Sequence, residues 1–198
     1  MTVRVKEGRR LASDTRNRML EAAVTALRRH GVAGMSFSEI LAASGAARGA
    51  IYHHFPGGKT QLVAEAAELN GREVGARFAQ LPATTPRQVV VDFLSLVRPV
   101  LLESTTGNSC AVAAVAMGYD TAPDETLLHA SATAFASWVD VLADRLTRAG
   151  LPHAEAYDLA TTLIALLEGA HVLCRASASI EPFDRMCRTA EALAPQGR

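Results

Sequence analysis

A short segment near the start of the chain carries side chains suited to contacts with nucleic acid. Arg48 and Tyr52 are four residues apart, so they lie on one face of a helix. Gly49 and His53 flank this pair. An arginine can fork onto guanine O6 and N7, a glycine permits close approach to DNA, and tyrosine and histidine can reach phosphate. The opposite side is apolar, with Ala46, Ala50, Ile51 and Phe55. The pattern predicts a helix that inserts its polar edge into a major groove.

Two short helices joined by a tight turn are predicted to present this segment. Ser36-Phe-Ser-Glu39 is a capping box, which opens a helix that reaches about Ala43. Ser44-Gly45-Ala46 forms the turn, and a second helix covers about 47–53 before Pro56-Gly57-Gly58. These helix lengths and the glycine in the turn are typical of a helix-turn-helix.

A longer helix is predicted in front of this pair. It begins at about Asp14, with Ser13 as its N-cap, and runs to His30, where Gly31 ends it. The preceding residues, Met1–Leu11, are basic and are predicted to form an arm without regular structure. Together the three helices are expected to form one small domain.

The rest of the chain is also predicted to be helical, because its apolar residues recur at helical spacing between capping signals. We expect an all-α protein of about nine helices, in which residues 1–62 form the helix-turn-helix domain and residues 63–198 form a larger helical domain. The later helices are predicted to cover about 59–80, 86–103, 109–118, 124–149, 152–175 and 182–193.

Composition and charge narrow the class of protein further. Hydrophobic residues make up 49% and charged residues 20% of the chain, as in a globular protein. Residues 1–62 hold ten Arg and Lys against four Asp and Glu, so their net charge of +6 is offset by −6 in the rest. A basic end joined to an acidic remainder suggests that only the basic end meets a polyanion, although a solvated charged surface would look the same.

Cysteine usage and hydropathy predict a soluble, cytoplasmic protein. Cys110, Cys174 and Cys187 are far apart and lack a CxxC spacing, which argues against a disulfide scaffold and a structural zinc site. Met1–Arg10 is not followed by the apolar run of a signal peptide. The longest uncharged stretch, Ser104–Tyr119, is short and polar for a membrane span.

No catalytic, metal or cofactor site is predicted, and we expect no enzyme activity. Gly57-Gly58-Lys59-Thr60 looks like the end of a phosphate-binding loop, but His53 stands where that loop needs a glycine. His53 and His54 are adjacent, so their side chains point about 100° apart, and no third metal ligand lies nearby. Ser109-Cys110 has no partnered histidine.

The run Gly45-Ala-Ala-Arg-Gly-Ala-Ile-Tyr-His-His-Phe55, followed by Gly58-Lys59, resembles the signature of the TetR family of bacterial transcriptional regulators. The resemblance is detailed over residues 14–67. Two departures predict weaker phosphate anchoring, since the family usually has Ser or Thr in place of Ala47 and Ser in place of Gly58. The resemblance implies a DNA-binding surface made by Arg16, Ser36, Ala47, Arg48, Gly49, Tyr52, His53 and Lys59.

The same resemblance implies a C-terminal domain that binds a small effector and dimerises. The segment 104–120 is similar to the LmrA/YxaF-like branch of the family. The candidate effector contacts mix apolar, aromatic and a few polar side chains, as small-molecule sites do; they are Phe93, Val97, Leu101, Cys110, Met117, Phe135, Trp138, Leu142, Glu168 and His171.

The helix around 152–175 suggests how the domain would dimerise. It is apolar nearly all round, which a helix buried by both its own core and a partner would explain, and Gly169 and Ala170 would allow close approach. The apolar residues in question are Leu159, Leu163, Ile164, Leu166, Leu167 and Ala170. A central helix of a monomer is the alternative.

Three functions stay open on the sequence alone. A dimeric repressor would bind a pseudo-palindromic operator in double-stranded DNA and be released by a small, largely apolar effector. A small-molecule carrier on a helix-turn-helix scaffold, or a cofactor-free enzyme that uses the C-terminal cavity, would leave the basic surface around Arg48 without a purpose.

Overall fold

The computed structural model describes residues 2–118 and 124–195, and every regular element in these residues is a helix. The predicted all-α fold is therefore confirmed. The nine helices of the described residues are α1 (Thr2–Gly34), α2 (Phe37–Ser44), α3 (Ala50–His54), α4 (Gly58–Phe78), α5 (Pro86–Ser104), α6 (Ala111–Ala116), α7 (Glu125–Arg148), α8 (His153–Ser177) and α9 (Glu181–Leu193).

The first helix starts earlier than the sequence suggested. The prediction of an unstructured arm over Met1–Leu11 is wrong from Thr2 onward, and Met1 itself lies outside the described residues. No proline interrupts this segment, and its Arg, Lys, Glu, Leu and Ala residues have high helix propensity. The helix therefore continues through Ser13, which was predicted to be its N-cap. At the other end, Gly31 leaves the helical conformation with φ 65° and ψ −174°, so the regular helix ends where it was predicted to end.

The helix-turn-helix has the expected caps but a later second helix. Ser36 accepts a hydrogen bond from the Glu39 N–H at 3.3 Å, and Gly45 closes α2 with a φ of 65°. The second helix was predicted from residue 47 but begins at Ala50. Ala47 has no side-chain oxygen to cap a helix, and the residues up to Ala50 form a turn in which the Ala50 N–H donates to the Ala47 carbonyl at 2.9 Å.

The later helices lie close to their predicted ranges, with α6 as the clearest difference. Thr85 caps α5 by accepting from the Gln88 N–H at 3.1 Å, as the Thr85-Pro86 pair predicted. Helix α6 starts two residues later than expected, because Ser109 is bonded back to α1 and Cys110 provides the cap.

Two apolar clusters form the core, and α4 contributes to both. The first contains Leu27, Ile40, Ile51 and Phe55, and also takes in residues of α6 and α7. The second lies among α5, α7, α8 and α9 and includes Phe78, at the end of α4. Helix α4 is therefore packed against the helix-turn-helix at one end and against the C-terminal helices at the other. The domain division at residues 62 and 63 stays a prediction.

The contact between α4 and α7 is close because α4 presents glycines there. A Cβ on Gly71 would lie 2.8 Å from the Ala134 Cβ, and one on Gly75 would lie 3.6 Å from the Trp138 ring. The Trp138 indole N–H donates to the Gly71 carbonyl at 2.7 Å. The two helices are thus joined by a buried hydrogen bond where their backbones approach most closely.

Helix α8 is long and apolar enough to cross a membrane by length and composition alone. It packs against α5, α7 and α9, as the core helix of a helical domain does. The residues that predicted burial on two sides, such as Leu163 and Ala170, face this core instead. The outward surface of α8 is formed by other residues, which include Val172 and Leu173.

Candidate DNA-binding surface and effector cavity

The segment around α3 has the orientation that the sequence predicts. The Tyr52 side chain is 66% exposed, and Arg48, Gly49 and His53 are also exposed. On the opposite side, Ile51 is only 2% exposed and Phe55 is fully buried. One edge of this segment is therefore free to enter a groove while the other holds it in the domain.

The start of α2 belongs to the same surface as α3. The Tyr52 ring packs edge-on against Phe37, with ring centroids 6.0 Å apart. Ser36 precedes Phe37 and is exposed, with its hydroxyl 3.3 Å from that of Ser38. Ala47 is exposed in the turn between the helices. Hydroxyl groups of α2 and the polar edge of α3 thus face solvent together.

Lys59 is half-buried at the start of α4, where it lies in a cleft beside Val32 and Ala33 at the end of α1. Gly58 precedes it with a φ of 68°, a conformation that suits glycine and explains why Gly58 serves here where a serine is usual. A DNA contact by Lys59 stays a prediction.

Arg16 differs from the other predicted DNA contacts because its guanidinium is already bound within the protein. It forms an ion pair with Glu65 of α4 and lies over the Phe55 ring, 5.0 Å from its centroid. Partial burial, His53 and Arg16 together lower the pKa of His54. In this arrangement Arg16 ties α1 to α3 and α4, and a phosphate contact would require it to leave Glu65.

A cavity of about 60 Å³ lies in the second half of the chain, between α4, α5, α7 and α8, with α1 at one wall. Five of the predicted effector contacts line it: Val97, Cys110, Trp138, Glu168 and His171. It meets a wider groove of about 870 Å³ between α1, α6 and α8. Met117, another predicted contact, lies on that groove and is exposed.

The other four predicted effector contacts are not brought to the cavity. Leu101 and Leu142 are fully buried in the core. Phe135 packs edge-on against Trp138 at 5.2 Å, and Phe93 faces a separate small gap near α9. An apolar residue in a helical stripe looks the same in sequence whether it meets a cavity or another side chain, so these four could not be separated from the rest.

The pKa values of two buried polar groups of α8 are shifted in the direction that favours their uncharged forms. Burial raises the pKa of Glu168 to about 7, and its Oε1 has no hydrogen-bond partner among the described residues. Burial and the nearby Arg28 charge lower the pKa of His171 to about 4, and its Nδ1 lies 2.7 Å from the Ser104 hydroxyl. Burial and Glu168 also raise the pKa of the Cys110 thiol. At neutral pH His171 and Cys110 therefore offer hydrogen bonds rather than charge to an occupant, and Glu168 is only partly ionised.

Sequence reasoning missed four polar residues at the cavity: Arg28, Asn70, Arg77 and Ser109. Asn70 could have been found, since it follows Ala66 and Ala67 at helical spacing on the buried side of α4. Arg28 could not have been found from sequence, because it lies on α1, in the part of the chain predicted to form the helix-turn-helix domain. Ser109 donates its N–H and its hydroxyl to the Arg28 carbonyl, at 2.9 and 3.0 Å.

Comparison with known proteins identifies the class. Residues 19–66 match the family model of bacterial regulatory proteins of the tetR family, and residues 86–189 match that of the LmrA/YxaF-like transcriptional regulator C-terminal domain. An HTH-type transcriptional regulator of Mycobacterium tuberculosis is 32% identical over 87% of this chain and 90% of its own length. The chain belongs to the TetR family of transcriptional regulators. Its C-terminal domain places it in the LmrA/YxaF-like branch.

Further relatives support the same assignment. The HTH-type transcriptional regulator LmrA of Bacillus subtilis is 27% identical over 86% of this chain and 91% of its own length. A TetR regulator of Legionella pneumophila has the same fold, with a TM-score of 0.77 at 18% identity over 90% of this chain and 96% of that one. The TetR family regulator CifR, solved with a 26 bp operator DNA, gives a TM-score of 0.67 at 19% identity over the same shares.

Proposed function

We propose that this regulator is a ligand-responsive repressor that binds a pseudo-palindromic operator as a dimer and is released by a small, largely apolar effector. The observation that carries the proposal is the exposed edge of Arg48 and Tyr52 on a segment whose other side is buried through Ile51 and Phe55. A protein that acts on a promoter works in the cytoplasm, where we place it.

The route from effector to DNA is supported by two connections. Helix α4 packs in both apolar clusters, so it joins the cavity to the helix-turn-helix. The loop before α6 is bonded to α1 through Ser109 and Arg28, and both residues line the cavity. An effector that prefers a different spacing of the two recognition helices would lower operator affinity in proportion to its preference.

The surface of α8 supports dimerisation. Val172 is 58% and Leu173 is 51% exposed, next to the open space at Gly169. Large apolar side chains that stand side by side in solvent are typical of a surface that a partner covers. A twofold partner would set the two α3 segments about one DNA turn apart.

Neither alternative function gains support. A carrier has no use for the exposed edge around Arg48. In an enzyme, the Ser104–His171 pair would be the first candidate for nucleophile and base, but the Ser104 side chain is fully buried and a substrate could not reach it.

The test is operator binding by the purified protein and two variants. Fragments selected from genomic DNA give the operator, and its affinity is then measured against scrambled sequence. Arg48→Ala should reduce the preference for operator, because it removes a base contact worth about 1–3 kcal/mol. Lys59→Ala should weaken binding to all sequences alike.

Arg72→Ala is the matched control, since Arg72 is exposed on α4 and its one ion pair among the described residues is with Glu68. The proposal fails if the wild-type protein shows no preference for any fragment, or if Arg48→Ala and Arg72→Ala give the same footprint as wild type.

A further inference from the structure

The arginines of the C-terminal part of the chain fall into two groups. Nine lie in the described residues after residue 62, and six of them pair with a carboxylate within 4.0 Å. Arg77, Arg175 and Arg188 have no such ion pair among the described residues. Arg77 lines the cavity and Arg175 lines the adjoining groove. Unpaired positive charge is therefore concentrated around this site in a domain that is acidic overall.

Helix α1 adds to this concentration. Arg28 lines the cavity and Arg29 lines the groove, whereas Arg16 and Arg18 of the same helix are paired with carboxylates. Within the described residues neither Arg28 nor Arg29 has an ion pair. Glu168 is the one carboxyl group among the residues that line the cavity and the groove, and burial raises its pKa to about 7. It therefore leaves much of the arginine charge uncompensated.

A buried amide points into the same space. Asn70 is only 4% exposed and lines the cavity, and its side-chain amide has no hydrogen bond to any other described residue. The amide is therefore available to bond to an occupant of the cavity. The remaining wall is apolar and aromatic, with Phe78, Val97, Trp138 and Leu167.

We propose that the effector is an organic anion, a carboxylate on an apolar chain or ring. Part of the apolar body lies against Trp138 and Phe78, and the rest extends into the adjoining groove, which is much larger than the cavity. The carboxylate accepts hydrogen bonds from Arg28 and Arg77, with Asn70 as a further donor. Arg29 and Arg175 raise the positive potential in the adjoining groove. This assignment rests on the proposed function, because it names the class of ligand that the same cavity takes.

The protein carries its own reporter for the test, since Trp138 is the single tryptophan of the chain and lines the cavity. The probes are octanoate, octanamide and octylamine, which share an apolar chain and do not absorb where tryptophan does. Each is titrated into the purified protein while the Trp138 emission is followed, with calorimetry as a second readout. Octanoate is expected to bind at least tenfold more tightly than the other two.

Variants then locate the carboxylate. Arg77→Gln and Arg28→Gln should each weaken octanoate binding about tenfold, as expected for loss of a charge-assisted hydrogen bond. Arg72→Gln is the control, because it removes the same charge from the outer side of the same helix as Arg77. Retained helix content by circular dichroism shows that each variant is folded.

The assignment is overturned if octanamide or octylamine binds within twofold of octanoate, if both cavity variants bind octanoate like wild type, or if octanoate does not bind. If a neutral compound binds to the protein and causes it to release operator DNA, the proposal of an anionic effector is refuted, but the proposed repressor function is not. If the protein binds octanoate but shows no preference for any promoter fragment, only the proposed repressor function is refuted.

Discussion

Ser109 donates two hydrogen bonds to a single acceptor, the carbonyl oxygen of Arg28, from its N–H at 2.9 Å and from its hydroxyl at 3.0 Å. The acceptor lies in the last regular turn of α1, just before the backbone departs from helix at Gly31. Both residues also line the cavity between α4, α5, α7 and α8. The cavity wall is thus built in part from the joint between the two halves of the protein.

Removal of the Ser109 hydroxyl should weaken this contact between Ser109 and α1 without abolishing it. Ser109→Ala keeps the N–H bond and is expected to lower the free energy of unfolding by about 1 kcal/mol. Amide hydrogen exchange around residues 28–34 should become faster, because the Arg28 carbonyl loses one of its two hydrogen bonds from Ser109. Ser95→Ala, on the exposed side of α5, is the control. Equal exchange in the two variants would show that the hydroxyl bond does not restrain α1.

A cap can be added to the recognition helix. In Ala47→Ser the new hydroxyl can accept from the Ala50 N–H, which now bonds only to the Ala47 carbonyl at 2.9 Å. We expect the helix to begin earlier, the free energy of unfolding to rise by about 1 kcal/mol, and operator affinity to increase several-fold.

Thermal unfolding and operator titration measure these effects. Ala43→Ser, exposed on α2, is the control and should change neither quantity. If Ala47→Ser binds operator no better than wild type, the missing cap does not limit the phosphate contacts of this segment.

Glu168 should make the protein less stable as pH rises. Its pKa is about 7 in the folded chain and near 4.5 when unfolded, so the folded state holds the proton more tightly. The free energy of unfolding therefore falls between about pH 4.5 and 7 and is constant above. Glu168→Gln removes this loss, so the variant should exceed wild type by up to about 3 kcal/mol at pH 8 and match it near pH 4.

Denaturant unfolding at a series of pH values measures this difference. His171 acts in the opposite direction, since its pKa of about 4 costs stability as pH falls from about 6.5 to 4, but it is common to both proteins and cancels. Glu103→Gln, an exposed glutamate, should follow wild type throughout. A constant offset between Glu168→Gln and wild type would contradict the raised pKa.

The proposed dimer depends on the outward surface of α8. Leu173→Glu places a charge where a partner would cover an exposed leucine, so it should convert the dimer to monomer in sedimentation and reduce operator affinity at least tenfold. Leu102→Glu makes the same change on α5, where leucine is also exposed, and should stay dimeric. A dimeric Leu173→Glu, or equal dissociation of both variants, would place the interface elsewhere.

The elements that sequence predicted well are those with local causes. Thr85 and Pro86 start α5, Gly45 closes α2, and Ile51 and Phe55 turn inward because the pattern of one helix decides all of these. The first helix was misjudged because a basic composition does not by itself oppose helix formation.

The candidate sites divide in the same way. The exposure of Tyr52 opposite the buried Ile51 follows from helical spacing, and Arg48 is exposed in the turn before α3. The cavity does not follow from such spacing, since its lining combines Arg28 of α1, Asn70 of α4 and Glu168 of α8, which are far apart in sequence. Which members of an apolar stripe border empty space depends on how the helices pack, so Leu101 and Leu142 could not be told from Val97 and Trp138.

At Gly71 and Gly75, where α4 meets α7, helix α4 has no side chains. Side chains that interlock across a helix pair hold it at one register, and moving such a pair requires rotamers to change together. At Gly71 and Gly75 the two backbones instead approach each other directly, and the buried hydrogen bond from the Trp138 indole to the Gly71 carbonyl ties α4 to α7 at this point. Trp138 also lines the cavity, so a ligand that displaces its ring is expected to act on the α4 backbone through this one hydrogen bond.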